Sequence, residues 1–399
     1  MVYINATLIF GRTFTTLSRA SSLETQAPSS QTNAMADGYS TRGLPPAPDV
    51  SMRTIPMAGL LVDVYGLDEL PADMSTPVTC LWLLHPRTRT RARMADIAKR
   101  AVHAWKSRRQ PPEEALSPAV ARSGSTSSSS SRPTARGLIA LAFDMPNHGS
   151  RLVSEEANAA WAEGNAQHAV DMAGAVRGAA GDVSALMDLV GAYVGRPAVD
   201  AHVALGWSLG GHAAWQAVVG EERLDAAVVI IGCPDLLGLL TDRAAKANLD
   251  TGGEPLVGSK YLPPPLTESL SRHDPRGIFF GSAPSPPPPG PTSLSHAATA
   301  AAERERLRAL LDRHLRGKKL LLCSGGADEL VPHARTAPFA AWLADAARGW
   351  YADGGLEVQD RVYDGVGHHF SGGMVVDAVE FLVRVVAEGP RTKAARARM

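Results

Sequence analysis

The chain has 399 residues, 45% hydrophobic and 20% charged, with 37 Gly and 29 Pro, a globular make-up that excludes a collagen-like or wholly disordered protein. Forty Lys and Arg balance forty Asp and Glu, so no net field draws the molecule onto nucleic acid or an anionic membrane. Cys80, Cys233 and Cys323 are odd in number and far apart, which suggests neither a disulfide framework nor a zinc cage.

No run of eighteen apolar residues occurs, so no membrane span is expected. Residues 1–52 are polar and broken by Ser29, Ser30, Pro45, Pro46 and Pro48, and are read as a disordered or targeting arm. The arm has no acid before Glu24 and carries Arg12 and Arg19, a weak mitochondrial transit pattern. Cytosol is the default compartment.

From residue 53 the pattern changes. Apolar runs at 59–65, 78–84, 138–144, 203–207, 227–231, 319–324 and 356–363 read as strands. They are continuous rather than alternating, as in strands covered on both faces. Between them, Met94, Ile97, Ala98, Ala101, Val102 and Trp105 recur at helical spacing, and so do Val375, Val379, Leu382 and Val386. Strands alternating with helices predict an α/β fold, with a mostly parallel central sheet and helices on both faces. This core is expected over 53–234 and 319–388.

Three stretches interrupt the rhythm. The Ser-rich stretch 122–136 reads as a low-complexity insertion, and 282–291 as a Pro-rich connection. The segment 235–318 mixes helical pieces at 236–247 and 297–315 with Pro- and Gly-rich links, and is expected to form a cap over the carboxyl edge of the sheet. A basic tail, 389–399, ends in Ala397-Arg398-Met399, a small-basic-apolar tripeptide of the S-K-L type. It offers a peroxisomal address as the alternative to the cytosol.

Gly206-Trp207-Ser208-Leu209-Gly210-Gly211 follows an apolar strand and precedes the helix-forming run from His212. G-x-S-x-G in this strand-turn-helix context lets the chain turn sharply and lifts the Ser208 hydroxyl above the sheet. A serine hydroxyl needs a base oriented by a third group. Ser324-Gly325-Gly326-Ala327-Asp328 places an acid on a Gly-rich turn after one strand, and Gly365-Val366-Gly367-His368-His369 delivers a histidine after the last. The expected triad is Ser208, Asp328 and His368, with His369 the second choice for the base.

With these residues in place, the stretch 54–388 resembles the α/β-hydrolase-fold serine hydrolases. Asn147-His148-Gly149 matches the centre of the D-x-R-G-H-G-x-S stretch of that superfamily, and is given a structural part. His85-Pro86-Arg87 stands where the family has His-Gly and donates one oxyanion N–H. Pro86 has no N–H, so the resemblance and this departure together assign the donors to the amides of Leu209 and Arg87. G-W-S-x-G-G, the D-E-x-V-P turn and G-H-H-F are similar to prolyl-oligopeptidase-type catalytic domains and their esterase relatives, although residues 1–52 hold no counterpart of the peptidases' propeller.

The resemblance implies hydrolysis of a carboxylic ester or related small acyl compound through an acyl-enzyme on Ser208. A peptidase, acyltransferase or thioesterase would use the same triad, and a non-catalytic protein of this fold would hold a small ligand in the pocket. Dehalogenase and epoxide hydrolase chemistry is disfavoured, because those relatives carry a carboxylate where this chain has Ser208. No H-E-x-x-H pair, P-loop or dinucleotide loop is present, so neither metal nor cofactor is expected. The basic cluster Arg87, Arg89, Arg91, Arg93, Lys99 and Arg100 reads as a solvated helix face, not a nucleic-acid site.

Overall fold

A computed structural model describes residues 39–40, 43–109, 136–281 and 297–391. The Ser-rich stretch 122–136, except Arg136, lies outside the described residues, as do most of the arm 1–52, the Pro-rich stretch 282–291 and the tripeptide 397–399.

The first half of the chain runs β1 (Tyr39–Ser40), β2 (Met52–Met57), β3 (Leu60–Tyr65), β4 (Val78–Leu84), α1 (Ala95–Arg109), β5 (Gly137–Phe143), α2 (His168–Tyr193), β6 (Val199–Trp207) and α3 (Leu209–Gly220). It continues through β7 (Leu224–Ile230), α4 (Leu236–Lys246), α5 (Pro264–His273), α6 (Pro275–Phe280) and α7 (Ala297–His314). The last elements are β8 (Lys319–Gly325), α8 (Ala337–Arg348), β9 (Glu357–Tyr363), β10 (Phe370–Ser371) and α9 (Gly372–Glu388).

Eight strands form one sheet in the order β2-β3-β5-β4-β6-β7-β8-β9. The hairpin β2–β3 joins antiparallel to β5, and every later pairing is parallel. Every residue of β4, β5 and β7 is buried. Side chains alternate across a strand, so each of these strands feeds two cores. Cys80, Trp82 and Leu84 enter a core shared with α2, α3, α4, α7 and α8, whereas Leu81 and Leu83 enter a second core under α1 and α9. The stripe Ile97, Ala98, Ala101, Val102 and Trp105 of α1 is buried in that second core, together with Val375, Leu382 and Val386 of α9. Helices therefore cover both faces of the sheet, and the expected α/β architecture is observed.

In this sheet two strands depart from expectation, both at the edges, while β1 and β10, which were not expected, pair with each other outside it. Met-Arg-Thr-Ile-Pro-Met of β2 is exposed along most of its length and carries Pro56. An edge strand tolerates both and carries no apolar run to mark it. At the other edge β9 was expected to be covered on both faces, yet Asp360 and Arg361 are exposed. β9 has a single neighbour, β8, and so lacks a second flank to bury. Within the stretch read as an arm, Leu44 and Val50 pack against the α1–α9 core, and Arg100 Nη2 donates to Pro45 O at 2.8 Å. Among the described residues no helix is long and apolar enough to cross a membrane.

Candidate active site

The parallel strands point their carboxyl ends the same way, and the ends of β6, β8 and β9 carry the three residues of interest. Ser208 follows β6 with φ 56° and ψ −112°, a strained conformation for a side-chain-bearing residue, costing on the order of 1–3 kcal/mol. The turn is held by Ser208 N donating to Ile230 O at 2.9 Å and by His212 N donating to Ser208 O at 3.0 Å. Its glycines are steric requirements. A Cβ on Gly206 would lie 1.9 Å from Gly210 O, and one on Gly210 would lie 2.0 Å from Leu84 O.

The loops after β8 and β9 are stitched together by backbone bonds from Gly326 N to Tyr363 O at 2.8 Å and from Ala327 N to Val366 O at 2.9 Å. The approach is close enough that a Cβ on Gly325 would sit 2.4 Å from Val366 O. His368 thereby lies between acid and serine. Its Nδ1 is 2.8 Å from Asp328 Oδ2, and its Nε2 is 2.9 Å from Ser208 Oγ. The Asp328 carboxylate is fully buried, and its other oxygen accepts the amides of Leu330 and Val331, each at 2.9 Å. A carboxylate so held keeps the Nδ1–H tautomer, leaving Nε2 free to accept from the serine hydroxyl. His368, and not the neighbouring His369, faces both partners.

The two residues expected to offer oxyanion amides lie on segments beside the serine turn. Leu209 opens α3, where its N–H has no intrahelical acceptor and the helix dipole is positive. Arg87 follows β4 on the loop that abuts the first turn of α3, since Leu84 O and His85 O are the atoms nearest a Cβ on Gly210. His85 fixes that loop. Its Nε2 accepts from Met145 N at 2.9 Å, so Nδ1 carries the proton and donates to Pro86 O at 2.8 Å. Burial lowers its pKa to about 4, which keeps the ring neutral.

The Asp144–Arg151 stretch acts as a brace. Burial of Asp144 opposes ionisation, but its carboxylate accepts the amides of Arg91 and Ser150 and the Ser150 hydroxyl, and pairs with Arg91. These interactions hold its pKa below the ordinary range. His148 lies edge-on to His85, with ring centroids 5.2 Å apart, and its Nδ1 is 2.9 Å from Pro146 O. Arg91 corrects the reading of the basic cluster as a solvated face: it turns inward and pairs with Asp63 and Asp144. Sequence spacing carried no sign of this, because Asp63 lies on β3 and Asp144 just after β5, both far from Arg91 along the chain.

Two further residues lie beside the site, and of these the sequence, by a spacing of one turn after Ser208, marks only His212. His212, one turn into α3, is buried, with Nδ1 3.2 Å from Cys233 N and O and its pKa lowered to about 3 by burial. Arg243 of α4 reaches the acid loop, where Nη2 donates to Leu330 O at 2.8 Å. No group of His, Cys, Asp and Glu among the described residues is arranged to hold a metal ion.

No family model and no curated protein matches the chain. Solved structures of similar architecture include TT1662 from Thermus thermophilus, 16% identical over 85% of this chain and 100% of that one, with a TM-score of 0.45. Est1E from Butyrivibrio proteoclasticus, solved with ferulic acid bound, is 15% identical over 84% of this chain and 99% of that one, with a TM-score of 0.40. A hyperthermophilic esterase from Pyrobaculum calidifontis is 15% identical over 87% and 85%, with a TM-score of 0.41. The mostly parallel sheet, the strained serine after a central strand and the acid and histidine after two later strands are the arrangement expected from the resemblance of the sequence to the α/β-hydrolase fold.

Proposed function

We propose that the chain is a serine hydrolase that cleaves a carboxylic ester or related acyl compound through an acyl-enzyme on Ser208. The observation that carries this reading is the unbroken relay Ser208 Oγ–His368 Nε2 at 2.9 Å and His368 Nδ1–Asp328 Oδ2 at 2.8 Å, on a serine held in a strained turn. In the first step Oγ bonds to the acyl carbon while Nε2 takes the hydroxyl proton. Asp328 orients the ring and balances the imidazolium. As the tetrahedral intermediate collapses, the bond to the leaving group breaks and the imidazolium returns the proton to it. Water then gives a proton to His368 and attacks the acyl carbon, and as the acyl–Oγ bond breaks the imidazolium returns that proton to Oγ, releasing the acid and restoring Ser208.

The amides of Leu209 and Arg87 are assigned to the oxyanion, and each such donor contributes about 3 kcal/mol to the transition state. Segment 235–318 is assigned the part of a cap, a reading supported by the bond from Arg243 on α4 to the acid loop.

The test is labelling of the purified protein by a fluorophosphonate probe. Wild type should label, and Ser208→Ala and His368→Ala should not. Absence of labelling in folded wild type would remove the reading and favour a ligand-binding protein with an idle triad.

A further inference from the structure

Most of the partly or fully buried arginines have a carboxylate partner. Arg91 pairs with Asp63 and Asp144, Arg136 with Asp200, Arg335 with Asp242 and Arg391 with Asp225. Arg87 and Arg243 do not. Both are half-buried, yet neither forms an ion pair with a carboxylate among the described residues. Arg87 donates through Nη1 to Asn158 O at 2.5 Å. Arg243 donates through Nη2 to Leu330 O at 2.8 Å, and its Nη1 lies 3.3 Å from Met172 Sδ. A guanidinium has five N–H donors, so these contacts leave donors on each group unspent.

The two groups converge on one place. Arg87 belongs to the loop whose amide is assigned to the oxyanion, and Arg243 touches Leu330, whose own amide donates to Asp328 at 2.9 Å. His168, at the start of α2, lies within electrostatic range of both arginines, and His212 within range of Arg243, His368 and Asp328 together. Two acids approach without answering the charge. Glu163 is exposed and within range of Arg87 only. Asp328 is within range of Arg243, but its oxygens are taken by His368 and by the amides of Leu330 and Val331. Burial lowers the pKa of both arginines, so the pair is held at a desolvation cost that a bound anion would offset.

We propose that Arg87 and Arg243 together bind an anionic group of the substrate, so that the acyl compound processed at Ser208 carries a carboxylate on its acyl or its leaving side. A planar fork of N–H donors matches a carboxylate in two-point contact. The assignment rests on the reading of Ser208 as nucleophile and adds the charge of its substrate.

The experiment compares three esters on the full-length protein: 4-nitrophenyl butyrate, the 4-nitrophenyl monoester of glutarate, and 4-butyryloxybenzoate. The first is neutral, the second carries its carboxylate on the acyl side and the third on the leaving side. At least one anionic ester should exceed the neutral one in kcat/KM, and the ratio should fall as salt rises from about 50 to about 500 mM. Arg87→Gln and Arg243→Gln should each reduce that ratio about 10- to 100-fold. If none of the esters turns over, protection of Ser208 from the fluorophosphonate by glutarate but not by glutaramide carries the same comparison. Equal turnover or equal protection by charged and neutral compounds, in a protein whose Ser208 still labels, overturns the assignment while leaving the acyl-enzyme reading intact. Failure of wild type to label removes both.

Discussion

The ring of Trp207, the residue before Ser208, packs edge-on against Phe370, two residues after His368, with centroids 5.7 Å apart. Both rings are buried in the core under α1 and α9. The backbone that presents Ser208 and the backbone that presents His368 thus rest on each other from beneath the site. Phe370→Leu stays apolar but gives up ring volume and the contact with Trp207, and should cost about 1–3 kcal/mol. It also lets the histidine loop shift, and kcat should fall about tenfold with little change in KM. Steady-state kinetics beside a urea titration separates the two effects; an unchanged kcat would mean the loop is set by its backbone bonds alone.

Asp328 is exchanged for its isostere in a second test. Asp328→Asn preserves shape, but its amide nitrogen can present donors where Oδ1 and Oδ2 now accept from Leu330 N, Val331 N and the ring. The wrong histidine tautomer follows, and acylation of Ser208 should slow on the order of 10³- to 10⁴-fold. Stopped-time fluorophosphonate labelling measures this directly, and a rate within tenfold of wild type would exclude Asp328 as the orienting acid.

Acid should unfold the protein partly through its buried histidines. Burial lowers His85 and His168 to about 4 and His212 to about 3, against about 6.5 in the unfolded chain. The folded state then binds fewer protons, so stability is full above pH 6.5 and lost as pH falls from there toward 4, about 3 kcal/mol each for His85 and His212 by pH 4. Asp274, raised well above the carboxylate range by burial, acts in the opposite sense and offsets part of the loss. Chemical denaturation of wild type and His212→Gln should give a difference in stability that grows from pH 4 to 6.5 and then levels. A difference independent of pH would mean His212 titrates normally.

Lys318 is buried, and its Nζ donates to Val218 O at 2.6 Å and Glu221 O at 2.8 Å, around the carboxyl end of the helix that carries the serine turn. Lys318→Met strands both carbonyls and should destabilise by about 1–3 kcal/mol at pH 9. Burial lowers the amine to about 7 in the folded chain, from 10.5. The folded state therefore releases its proton first, and wild-type stability rises with pH from about 7 to 10.5. The gap between wild type and variant should narrow as pH is lowered toward 7. Thermal unfolding across that range checks the slope, and a gap that widens toward pH 7 would show the amine stays charged.

Much of the fold, and the three residues that the structure brings together, were legible because the signals are local. A strand covered on both faces must be apolar throughout, so β4, β5 and β7 announced themselves. A tight turn needs small residues at fixed offsets, so Gly206 and Gly210 framed Ser208, and glycines delivered Asp328 and His368 beyond their strands. What the sequence determined by itself was therefore the residue types of the site and the strand ends that carry them.

Tertiary structure decided the rest, because those features depend on neighbours far along the chain. The exposed β2 carries no apolar run to mark it, β9 read as a strand covered on both faces, and only sheet order made both of them edges. His368 and His369 are the same residue type in the same loop, and only the bonds stitching that loop to the one after β8 turned His368 toward Ser208. Arg91 read as surface until its pairing with Asp63 and Asp144, and nothing local in the sequence marked Arg243, which α4 sets on the acid loop. Charge is written in the sequence, but whether it is paired, buried or left for a ligand depends on distance and desolvation, which exist only once the chain is folded.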